Sequence, residues 1–132
     1  KDRKTGKEFF YFDTHFDHIG KQARAESARM MVARMKRIAG EKAAVFLSGD
    51  LNTTYDNALL DPLKAWMQSA RHAAPVTDEL PTFNDFGKRS LWIDFIFTRN
   101  ARALAYRTLV DSGRYGVPFL SDHNPVYALY KL

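Results

Sequence analysis

The 132-residue chain is predicted to fold as an α/β unit, and three observations carry that prediction. A short apolar and aromatic run is followed by a long stretch of helical spacing, and a second short apolar run follows that. Strand, helix, strand is the repeating order of α/β architectures.

The first element is Phe9 to Asp13, bounded upstream by Gly6 and downstream by polar residues, and it reads as a strand buried on both faces. Its end points at His15. From Lys21 to about Ala39 the spacing becomes helical, with Ala28, Met31, Met35 and Ile38 forming an apolar stripe and Gly40 placed as a C-terminal stop. Ala43 to Leu47 is a second strand, closed by Ser48 and Gly49. Asp56 is placed to cap another helix through Leu59, Leu60, Leu63 and Trp66, which tolerates Pro62 only in its first turn. After a loop from Pro75 to Ser90, three more strands are expected at Leu91 to Thr98, Arg102 to Val110 and Val126 to Leu132. Gly113, Gly116 and Pro118 punctuate the connection between the last two. No repeat or linker divides the chain, so one core is expected.

Composition narrows the function classes. A hydrophobic share of 45% and a charged share of 27% exclude disordered, fibrous and membrane-embedded chains. Runs such as Phe9 to Phe12 fall far short of the roughly 20 apolar residues that cross a bilayer as a helix, so a soluble chain without a transmembrane segment is expected. Without cysteine there is no disulfide, thiolate site or cysteine nucleophile, and any metal must sit on oxygen or imidazole. The polar, basic opening from Lys1 to Lys7 reads as a loop and has no signal-peptide pattern; a targeting segment would lie upstream, which leaves the compartment open. The net charge of +5 favours polyanionic partners, but Lys21, Arg24, Arg29, Arg34, Lys36 and Arg37 share one helix and read as its solvated face.

The chemistry is expected at the strand ends. His15, Asp17 and His18 follow the first strand, Asp50 and Asn52 follow the second, and Asp122 with His123 precedes the last. Neighbouring strand ends lie side by side, so these groups can share one rim. Asp94 interrupts the apolar run from Leu91 to Phe97, and a buried carboxylate is retained only when it is paired. Carboxylates suit a hard divalent cation and imidazoles suit proton transfer or a phosphoryl oxygen, a combination fitted to phosphate-ester hydrolysis. Singly, Asp50, Asn52 and Ser121-Asp122 are also ordinary turn formers.

Read together, Thr14-His15-Phe16-Asp17-His18, Ser48-Gly49-Asp50-Leu51-Asn52, Ile93-Asp94-Phe95-Ile96-Phe97 and Ser121-Asp122-His123 resemble the endonuclease/exonuclease/phosphatase superfamily. That group includes pancreatic deoxyribonuclease, apurinic endonucleases, sphingomyelinases and inositol polyphosphate 5-phosphatases. The THFDH form, followed by Gly20, Ala23 and Arg24, is most similar to a largely bacterial branch. The resemblance implies the C-terminal half of a four-layer α/β sandwich, with mostly antiparallel sheets and helices outside, so that residues 1–132 form one partial domain. It implies phosphoester hydrolysis with Mg²⁺ or Mn²⁺, acting on a small molecule, a lipid headgroup or a nucleic acid. His15 would contact the scissile phosphate, Asp50 and Asn52 would orient water and hold phosphate oxygen, and Asp94 would polarise His123. Asp122, with Asp50, belongs to the metal region, while Asp17, His18 and Arg24 fall at branch-specific positions for substrate contact or support of His15.

The superfamily's N-terminal half supplies an asparagine and a metal-binding glutamate that Glu8 and Glu26 do not replace, so the chain is expected to need that half for activity. Asp13 stands where many relatives carry asparagine. The concentration of basic residues on one helix favours a small phosphoester or sugar phosphate over a nucleic-acid track. The alternative from another class is a non-catalytic binding module, or an inactive fragment of the fold. The geometric expectation is that His15, Asp50, Asn52, Asp94, Asp122 and His123 cluster at one rim, with Asp94 bonded to His123.

Overall fold

A computed structural model describes residues 1–110 and 113–132. Among the described residues six strands form two sheets, accompanied by three α-helices. Strand β1 (Phe9–Asp13) runs parallel to β2 (Ala44–Asp50), with helix α1 (Lys21–Ala39) as the crossover between them. Strand β4 (Asp94–Arg99) lies antiparallel to β2, and the two-residue β3 (Gln68–Ser69) closes the order β1-β2-β4-β3. Strands β5 (Arg102–Thr108) and β6 (Val126–Lys131) make a separate antiparallel pair. Three of the four pairings are therefore antiparallel, in an α/β frame with helices outside.

The main core sits between one sheet face and the helices. Val45 and Leu47 of β2 and Phe95 and Phe97 of β4 share that face by the two-residue period of a strand, and they meet Ala28, Met31 and Met35 of α1. Burying a methionine such as Met35 stabilises by about 1.5–3 kcal/mol, and Met35 is fully buried. The predicted stripe is corrected at its end, because Ile38 is 52% exposed while Val32 and Ala39 pack on the core. Positions 28, 32, 35 and 39 follow the 3.6-residue period more closely than a stripe ending at 38.

Strand β1 also differs from expectation. It is not buried on both faces: Phe9 and Tyr11 are 37% and 60% exposed, respectively. The strand is an edge of its sheet, and its exposed face carries the Phe9 edge contact to Phe46, the Tyr11 hydroxyl bond to Ser48 and the bond that Asp13 accepts from the Ser48 hydroxyl.

The expected second helix is split. A 3-10 turn at Ala58–Leu60 is capped by Asn57, whose Oδ1 accepts from the Leu59 amide, and helix α2 (Asp61–Trp66) follows with Pro62 in its first turn. Asp56 instead accepts from the Thr54 hydroxyl. A short helix α3 (Ala70–Ala73) was not anticipated. No helix among the described residues is long and apolar enough to cross a membrane.

Candidate active site

Parallel pairing of β1 with β2 brings their C-terminal ends to one rim, and the antiparallel β4 begins there, with Asp50 directly opposite Asp94. The turn beyond β2 is held by local chemistry. Gly49 has φ 143°, and a Cβ there would run into the Thr14 carbonyl, so only glycine lets β2 approach the segment after β1 this closely. Asn52 adopts a left-handed φ of 49°, a conformation asparagine tolerates better than most residues.

Asp50 lies at the centre. Its Oδ1 accepts from the Asn52 backbone amide at 2.7 Å, and its Oδ2 lies 3.3 Å from His15 Nε2 and 3.8 Å from His123 Nε2. The Asn52 side-chain amide reaches the Phe16 carbonyl at 2.9 Å, His15 Nε2 at 3.0 Å and Asp50 Oδ2 at 3.2 Å. Burial pushes the Asp50 carboxyl above its ordinary value and the Asp94 charge adds to this, while the Asn52 N–H and the two imidazoles pull the other way.

His123 Nδ1 and Asp94 Oδ2 are 2.9 Å apart, as expected from the sequence. With the Asp94 carboxylate oxygen accepting, Nδ1 is the donor in this pair and the other ring nitrogen, Nε2, faces Asp50. The Phe83 ring backs the imidazole at a centroid distance of 4.8 Å.

Five of the six residues expected at the rim, His15, Asp50, Asn52, Asp94 and His123, are thus joined by direct contacts. Asp122 adjoins them differently: its carbonyl accepts from the Asn84 and Asp85 amides, and its carboxylate accepts from the Ser121 hydroxyl. Among the described residues, Asp50, Asp94 and His123 form a potential metal group, with ligand atoms within 4.8 Å of one another. The Asp17 carboxylate accepts from the amides of Gly20 and Ile19, bonds that hold its pKa low, and thereby shapes the entry to α1. Arg24 donates to the Asp17 carbonyl, and His18 is exposed. Among the described residues no hydrogen bond or ion pair joins these three side chains to the five.

Sequence reasoning missed the segment from Thr82 to Asn84, which fell inside a predicted loop. It bridges to Leu91 and to His123 in short β-bridges. One threonine, one phenylalanine and one asparagine between proline and aspartate carry no periodic signal, so only the structure reveals them.

No protein-family model and no curated protein matches the chain. Solved structures do. An endonuclease/exonuclease/phosphatase from Bacteroides vulgatus aligns at 33% identity and TM-score 0.84, over 100% of this chain and 52% of its own length. A mannosyl-6-phosphatase from Bacteroides thetaiotaomicron aligns at 31% identity and TM-score 0.82, over 97% of this chain and 53% of its own. D. rerio TDP2 complexed with a single-strand DNA product shares the fold at 17% identity and TM-score 0.68, over 91% of this chain and 55% of its own. The chain spans about half the length of these structures.

Proposed function

We infer that this chain, which belongs to the endonuclease/exonuclease/phosphatase superfamily, is the C-terminal half of a metal-dependent phosphoester hydrolase and carries its water-activating residues. The observation that supports this most is the relay Asp94, His123, Asp50, with successive separations of 2.9 and 3.8 Å at the rim of the sheet. Asp94 holds His123 in the tautomer with a free Nε2, and Asp50 faces that nitrogen, so the two are suited to orient a water and take its proton. His15 and the Asn52 amide also approach Asp50 Oδ2, where they suit a phosphoryl oxygen on which charge develops.

The donor set fits Mg²⁺ or Mn²⁺. The two carboxylates within one ion's reach, Asp50 and Asp94, are hard oxygen ligands, and Asp50 would hold the ion; the Asp122 carboxylate, expected there from the family resemblance, is instead engaged by the Ser121 hydroxyl. A bound divalent ion would polarise the phosphate and offset its charge. Two chain carboxylates leave much of such an ion's coordination sphere to water, substrate and ligands from the rest of the domain.

We take residues 1–132 as one partial domain whose activity needs the complementary half. Similarity to a mannosyl-6-phosphatase makes a sugar phosphate or another small phosphomonoester the preferred substrate class. Comparing glycosyl phosphates, a simple aryl phosphate and a phosphodiester in the complete protein tests this. The highest kcat/KM on a monoester is expected; a preference for the diester by an order of magnitude would overturn the substrate assignment.

A further inference from the structure

Asp94 and His123 are 29 residues apart: Asp94 opens β4, and His123 lies in the segment ahead of β6, which belongs to the other sheet. We propose that Thr82 and Asn84 are positioning residues that set the geometry of this pair; the proposal rests on the reading that the pair activates water.

Thr82 is fully buried, and its hydroxyl oxygen accepts from the Ile93 amide at 3.1 Å and the Asp94 amide at 3.0 Å. The Thr82 carbonyl accepts from the Asn124 amide at 2.7 Å. One residue is thereby tied to the backbone of the catalytic aspartate and to the residue after the catalytic histidine. Asn84, 6% exposed, completes the tie. Its side-chain amide donates to the Ser121 carbonyl at 3.2 Å and to Asn124 Oδ1 at 3.0 Å, and its backbone amide donates to the Asp122 carbonyl at 2.8 Å. Phe83, between them, presses its ring on the imidazole.

The conformation beyond Asn84 shows how firmly the segment is held. Asp85, Phe86 and Gly87 are all left-handed, with φ of 46°, 53° and 86°. A phenylalanine persists there only when its surroundings over-determine it, and Asn84 Oδ1 accepts the Phe86 amide at 2.8 Å. Two buried polar side chains and a strained turn thus converge on backbone groups adjoining Asp94 and His123. Such outer partners fix the orientation of the groups that act on substrate.

The test uses the complete protein with four variants. Thr82→Val keeps the shape but removes the acceptor of two amides, and Thr82→Ser keeps the acceptor. Asn84→Ala removes all side-chain ties, whereas Asn84→Asp keeps the Phe86 bond and loses both donations. Thr82→Val and Asn84→Asp should lose about 10- to 100-fold in kcat with little change in KM, and Thr82→Ser should recover most of it. A second readout is independent of turnover: the Nδ1 proton of His123, seen by NMR as a downfield resonance shielded from exchange. It should be sharp in the parent and Thr82→Ser proteins, and broadened or lost in Thr82→Val, Asn84→Ala and Asn84→Asp. If Thr82→Val fails to fold, Asn84→Asp carries the test. Wild-type kcat in Asn84→Asp, or lost kcat with the resonance intact, would overturn the proposal. A parent protein that hydrolyses nothing but shows the resonance and its loss in the variants would sink the hydrolase reading and leave the brace standing.

Discussion

Replacing Asp94 by asparagine removes one charge from the 2.9 Å bond to His123 and almost no volume. Both side chains are largely shielded, at 18% and 30% exposure, so solvent does not erase the effect. A hydrogen bond to a charged group contributes about 1.5–3 kcal/mol and a neutral one about 0.5–1.5 kcal/mol. If the new amide turns its oxygen to Nδ1, the loss is about 1–1.5 kcal/mol, or roughly tenfold in rate at 1.36 kcal/mol per decade. If it presents its NH₂ group, His123 is driven to the other tautomer and the full value of about 3 kcal/mol is lost, roughly 150-fold. The assay is steady-state hydrolysis of an aryl phosphate by the complete protein, with thermal unfolding to show that the fold survives. Activity within about twofold of the parent in a folded Asp94→Asn protein would refute the assigned role, since even the milder outcome costs close to a decade.

Asp50→Asn is expected to abolish turnover yet stabilise the metal-free fold. Burial raises the Asp50 pKa, so the native state keeps a proton that the unfolded chain has released just above the ordinary carboxylate range. Stability from the protonated form is complete below that range and falls as pH rises through the folded value, so the gain in melting temperature should be present at neutral pH and fade in acid. Gly49→Ala should cost on the order of 1–3 kcal/mol in urea unfolding, because the strand must retreat from the Thr14 carbonyl at a φ of 143°. Met35→Ala, in the centre of the helix–sheet core, should cost about 2–5 kcal/mol in the same experiment without altering the rim.

The site was more legible in the sequence than the elements that support it. His15, Asp50, Asn52 and His123 stand at strand ends, where two periodic patterns already fix the neighbours, and Asp94 betrayed its pairing by lying in an apolar run. The Thr82–Asn84 brace was invisible because its bonds run between side chain and backbone across long sequence separations, which no local period records. Strand β1 was misjudged for a related reason: Phe9 to Phe12 is apolar throughout, and composition does not say whether a partner covers both faces. The Asp56 cap failed because Asn57, one residue later, is the side chain aligned with a free amide. Asp17 lies in a quoted motif, and its carboxylate also closes the turn ahead of α1, a local role that the motif's spelling does not reveal.

Metal-dependent phosphoester hydrolysis at the rim, once the domain is whole, is the function we propose. The direct measurement is hydrolysis of an aryl phosphomonoester and an aryl phosphodiester by the complete protein and by residues 1–132 alone, each with Mg²⁺, with Mn²⁺ and after chelation. Turnover is expected from the complete protein with either metal, with its loss on chelation and its return on adding metal, and little or none from the shorter chain. Undiminished hydrolysis after chelation, or a folded complete protein inert on both substrates with both metals, would contradict the proposal.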